Sequence, residues 1–94
     1  VAFARMDGAI KASIDISIRK ARTSILMNAP TAALMPLAQP GAELYGLEQT
    51  SGGLVIFGGG IPLTVDGVVV GAIGVSAGSV DQDVSVAEAG VAAL

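Results

Sequence analysis

The chain has 94 residues, a formal net charge of −3 and neither cysteine nor histidine, which excludes thiolate or imidazole zinc sites, Cys or Ser–His nucleophile systems and His-ligated haem. No apolar run reaches the roughly 18 residues of a membrane span and no signal-peptide pattern opens the chain, so the cytoplasm is the default location unless a leader precedes Val1; an acidic balance with only three aromatic residues also argues against nucleic acid. The length allows one domain, residues 1–94, whose core must come from Ala, Val, Ile and Leu because 52 % of the residues are apolar and 3 % aromatic; so small a core without disulfides gains from association, and a homo-oligomer is expected.

Val1–Met6 alternates weakly and reads as a strand, followed by a turn at Asp7-Gly8-Ala9. Ile10, Ile14, Ile18, Ala21 and Ile25 fall at three- to four-residue spacing and draw one stripe on a helix over Ile10–Asn28. Ile14–Ile18 also alternates like a strand, but the stripe outlasts an ordinary strand and Lys, Arg and Ala favour helix. Asn28-Ala29-Pro30 ends it, because proline disfavours helical geometry in the residue before it. Thr31–Leu37 suits one or two helical turns capped by Thr31 and interrupted by Pro36. A short helix is expected around Ala42–Leu47, then a loop.

Three strands follow: Leu54–Phe57, Ile61–Val65 and Val68–Val75. Asp66-Gly67 joins the last two, and an Asp-Gly pair between β-branched runs is a strong hairpin signal. Gly71 and Gly74 interrupt the second arm, as a bulge or a close backbone approach would require. Ser79 and Gln82 stand at capping-box spacing, with Asp81 and Asp83 in the first turn of a helix striped by Val80, Val84, Ala87 and Val91. The order predicts an α+β fold with a mainly antiparallel sheet.

The glycines do not form a nucleotide site. A phosphate loop needs a lysine after its last glycine, and a dinucleotide fingerprint needs G-x-G-x-x-G between strand and helix; neither Gly58-Gly59-Gly60 nor Gly71–Gly78 supplies these. The triplet is therefore either an anion-accepting nest or a bend of the sheet. Charge offers a similar pair of readings. All five cations precede Thr23 and six of the eight acids follow it, so the two parts either pair their charges or present a basic helix face to an anion.

"RMDGA" at Arg5–Ala9, Lys20-Ala21, "GGGIPL" at Gly58–Leu63 and "GAIGVSAGSVDQDVSVAEAG" at Gly71–Gly90 resemble the GlcG/HbpS family of haem-degrading-domain proteins, related to the C-terminal domain of PduO. The resemblance runs over essentially the whole chain. It implies a profilin-like α/β/α sandwich, assembly into oligomers, and an N-terminal helix and strand ahead of Val1. It also implies a small-ligand binding module, with haem or another tetrapyrrole among the ligands. Ser76-Ala77-Gly78 stands where the family has Ser-Gly-Gly, and any haem iron would need oxygen or sulfur from Thr50, Thr64, Tyr45 or a methionine. Otherwise Met6, Met27 and Met35 read as core fillers.

A pocket is expected where the Gly58–Pro62 loop meets the basic helix. Arg5, Lys20 and Arg22 are the candidates to hold a carboxylate or propionate, with Gly58, Gly59, Gly60 and Pro62 shaping the wall. An enzyme of haem degradation or small-acid metabolism is the alternative, and a purely structural oligomer subunit a third. Asp7, Asp66 and Asp83 are the carboxylates near glycine loops, and none is expected to stand in a constellation with a second titratable partner.

Overall fold

A computed structural model describes Val1–Leu94. Helix α1 runs over Ala12–Met27 and stops at Asn28, whose left-handed φ of 51° turns the chain out of the helix two residues before Pro30. Strands β1 (Gly60–Val65) and β2 (Val68–Gly74) form an antiparallel ribbon, and helix α2 spans Val80–Ala92. None of the helices is long and apolar enough to cross a membrane.

The local signals explain the ribbon and α2. Asp66 and Gly67 take φ values of 50° and 80°, the paired positive angles that a two-residue hairpin turn requires. The register runs from Gly60↔Gly74 to Val65↔Val68 and slips between Leu63 and Thr64, so that Val70 is the extra residue of a bulge beside Gly71. At α2, Gln82 N–H donates to Ser79 Oγ at 3.2 Å while Ser79 N–H donates to Gln82 Oε1 at 2.9 Å, which completes the capping box.

The ribbon is covered on both faces at its Gly60–Gly74 end, while Val65, Val68 and Val70 toward the hairpin are exposed. Gly60 and Gly74 are register partners and turn toward α1, where a Cβ on either would collide with the carbonyl of Lys20 or of Ser17. One residue along, Ile61 and Ile73 turn the other way, and Ile73 reaches Gly90 of α2. The result is an α+β sandwich in which α1 lies almost backbone-to-backbone on the sheet.

Several sequence expectations are corrected. Val1–Met6 and Leu54–Phe57 are not strands, because neither finds a ladder partner. Leu54 and Val55 are nevertheless buried, and the Val55 N–H is satisfied by Thr23 Oγ1 at 3.0 Å. Ala42–Leu47 forms turns rather than a helix; a single 3₁₀ turn follows at Leu47–Gln49. Thr31 starts the 3₁₀ turn Thr31–Ala33 without capping it, its hydroxyl accepting from Gly60 N–H at 2.9 Å instead. Met6 and Met35 are exposed and fill no core.

The stripe on α1 faces outward. Ile14, Ile18 and Ile25 are 41 %, 55 % and 38 % exposed, whereas Ser13, Lys20, Thr23 and Ser24 are buried. Small hydroxyl side chains let the helix approach the glycines of the sheet. Two of them also satisfy themselves locally, Thr23 donating to the Arg19 carbonyl at 2.7 Å and Ser24 to that of Ala21 at 2.8 Å.

Candidate functional site

Lys20 leaves α1 on its buried face and is 0 % exposed. Its ammonium donates to Asp83 Oδ2 at 2.9 Å and to the Val75 carbonyl at 2.7 Å, and lies 5.1 Å from the centre of the Phe57 ring. Asp83 comes from the first turn of α2 and is 5 % exposed; its other oxygen accepts the Gly78 N–H at 2.9 Å. One ion pair thus ties α1, the end of the ribbon and the start of α2 together.

The glycine triplet makes room for that pair. A Cβ on Gly59, at φ +129°, would lie 2.7 Å from the Lys20 ammonium and 2.5 Å from the Val75 carbonyl oxygen. One on Gly58 would meet Val84 at 2.5 Å. All three glycines are buried, the Gly60 N–H is held by Thr31, and the Gly59 carbonyl accepts from Val75 N–H at 2.9 Å. The glycine loop meets the basic helix here, and the Lys20 side chain fills the space between them. Pro62 lies half-buried in β1, opposite Ala72. On the α2 side of the triplet runs an apolar groove of about 710 Å³, where Glu88 is the one charged lining residue.

The other cations are separated. Arg22 donates to the Ser51 carbonyl at 2.5 Å. Arg19, which no motif singled out, bonds the Asp15 carboxylate at 2.8 Å and the Gly52 carbonyl at 2.7 Å. Both guanidinium groups hold a turn in which Ser51, Gly52 and Gly53 all have positive φ.

Arg5 belongs to a different place. It donates to the Ala9 carbonyl at 2.5 Å and lines a cavity of about 300 Å³ between Ala2–Ala9, the start of α1 and the end of β2. Phe3, Met6, Ile14 and Val86 contribute apolar wall, and Ser13 and Ser76 line the cavity within hydrogen-bond reach of each other, their hydroxyl oxygens 3.3 Å apart. From the sequence, Ser76 is named only within Ser76-Ala77-Gly78 and Ser13 is not named. The available signal was Ser13 and Ser17 at i, i+4, side by side on a strip of α1 that adjoins the isoleucine stripe.

Three comparisons bear on this arrangement. The profile of the family described as "Haem degrading protein HbpS-like" matches residues 1–92. An uncharacterized 15.0 kDa protein of Citrobacter freundii is 48 % identical over 85 residues, which make up 89 % of this chain and 60 % of that protein. Among solved structures, protein ORFY of Klebsiella pneumoniae matches with TM-score 0.95 at 39 % identity, over 98 % of this chain and 64 % of that one. A PduOC–haem complex matches with TM-score 0.95 at 41 % identity, over 100 % of this chain and 69 % of that one. The chain therefore spans about three fifths to two thirds of the length of these relatives.

Proposed function

The chain belongs to the HbpS-like haem-degrading-protein family, and from that premise we propose that it is a small-molecule binding module for haem, another tetrapyrrole or a smaller carboxylate, acting as a homo-oligomer. The observation that carries the reading is the PduOC–haem complex, which matches the whole of this chain at 41 % identity with TM-score 0.95.

The residues present suit such a ligand in part. Arg5 offers a guanidinium for a propionate, and Met6, 83 % exposed, offers a thioether in the lining of the same cavity. Haem, when bound, supplies the redox chemistry of its iron; this chain supplies apolar wall and a cation and has no imidazole to give. Gly58, Gly59, Gly60 and Pro62 act indirectly by seating Lys20 and the ribbon. Lys20 and Arg22 hold structure, the first through Asp83 and the second through Ser51.

Acid–base catalysis gains no support from the carboxylates. Asp83 is engaged by Lys20 and Gly78, Asp66 sits in the hairpin turn, and Asp7 is exposed beside Gly8. The outward stripe of α1 favours association, since Phe3, Ile18 and Val70 together leave an apolar surface in water.

Titrating the protein with haem while following the Soret band tests the reading. Binding gives a saturable shift of the band at a fixed haem-to-chain ratio. A spectrum that stays that of free haem overturns the tetrapyrrole reading, and the same titration with small carboxylates, followed by thermal stability, then decides whether any binding role survives.

A further inference from the structure

We infer that the cavity bounded by Arg5, Ser13 and Ser76 is a receptor for a carboxylate carried on an apolar body, either a free monocarboxylate or the propionate edge of a tetrapyrrole. The inference rests on the binding-module reading and narrows it to one place.

Polarity within the cavity is sorted. Arg5 is the only charged residue in its lining, and it spends one donor on Ala9, so that most of its planar fork remains for a carboxylate. Ser13 is 94 % buried by its 6 % exposure, and its oxygen already accepts from Ser76. The pair makes one hydrogen bond between them and keeps one hydroxyl proton to donate, as a carboxylate oxygen needs. Phe3, Met6 and Val86 form an apolar wall that suits hydrocarbon and penalises a free inorganic anion.

Size divides the two sources. A volume of about 300 Å³ stands at the lower end of the ligand pockets of globular proteins. It accommodates a small acid whole, whereas a tetrapyrrole would insert one edge and lay its ring over the exposed apolar surface beside Phe3. The other sites fit this chemistry less well. The groove beside α2 carries a carboxylate of its own, Arg19 and Arg22 are engaged with backbone carbonyls and Lys20 with Asp83, and Lys11 lines neither the groove nor this cavity.

The test is a titration of the ¹⁵N-labelled protein with 3-phenylpropionate, with 3-phenylpropanol, and with haem and its dimethyl ester, read by amide chemical shifts. The acid is expected to move the amides of Ser13 and Gly74–Ala77, and the alcohol to leave them in place. Arg5→Ala should weaken the acid roughly tenfold or more, the scale of a charge-assisted hydrogen bond, with Arg5→Lys in between. Arg5 is exposed, so the variant spectrum should remain that of the folded protein. If haem competes for these amides and its ester does not, the tetrapyrrole edge is an occupant; if the acid alone reaches them, the ligand is a free acid. Haem or acid binding that leaves these amides unmoved and ignores Arg5→Ala overturns the cavity while preserving the binding module. Failure of every carboxylate to bind anywhere overturns both.

Discussion

Lys20 and Asp83 show how one buried pair organises residues far apart in sequence. Removing one partner strands the other charge away from water, a penalty of about 3–5 kcal/mol for buried pairs. Asp83→Ala is therefore expected to lower unfolding free energy in urea by about that amount. Lys20→Met with Asp83→Leu should cost less than Asp83→Ala alone, because no ion is left unpaired; an equal or larger loss in the double variant would contradict the pairing. Gly59→Ala is expected to cost at least about 2 kcal/mol, since a Cβ there meets the Lys20 ammonium and the Val75 carbonyl at a φ that favours glycine. At this scale the sequence discloses short-range chemistry well. Ser79 with Gln82 and Asp66 with Gly67 are legible because each pair completes its own bonds within four residues. Lys20 is not legible as a buried group: its partner lies 63 positions away, and lysines are ordinarily exposed.

Among the elements, the hairpin and both helices follow from pattern, while two segments show what pattern omits. Leu54–Phe57 has the composition of a strand, but a strand is defined by a neighbour, and here the neighbour is a threonine hydroxyl on α1. Thr23→Val is expected to leave the buried Val55 N–H unpaired and to cost about 1–3 kcal/mol. Thr23→Ser should retain most of that stability, and hydrogen exchange at the Val55 amide reads the difference directly. Unchanged exchange in Thr23→Val would show that this bond does not hold the segment. The periodicity of Ile10–Ile25 identifies α1 as a helix but not which side meets the protein. Proximity of the Gly60 and Gly74 backbone selects the serine and threonine side, and that selection depends on tertiary geometry the spacing does not encode.

For the whole molecule, the consequence is an apolar surface of Phe3, Ile14, Ile18 and Val70 facing water. The matched relatives are longer than this chain, which spans 64 % and 69 % of two of them, and association between copies is the proposed way of covering the stripe. Ile14→Lys with Ile18→Lys is expected to shift sedimentation toward the monomer while leaving the far-ultraviolet dichroism of α1 intact; an unchanged sedimentation profile would remove the stripe from the interface. The candidate site also exists only at this scale. Arg5 is legible in the sequence as a cation near a turn, but Ser13 and Ser76 line the same cavity only because the start of α1 meets the end of β2.

The account turns on a carboxylate-bearing ligand held at Arg5. A calorimetric titration of haem, run in parallel with one of 3-phenylpropionate, into the wild-type protein and into Arg5→Ala tests it most directly. It predicts saturable heat from at least one of the two ligands with the wild type and affinity for that ligand reduced roughly tenfold or more in the variant; equal affinity in both proteins, or no heat from either ligand, would contradict it.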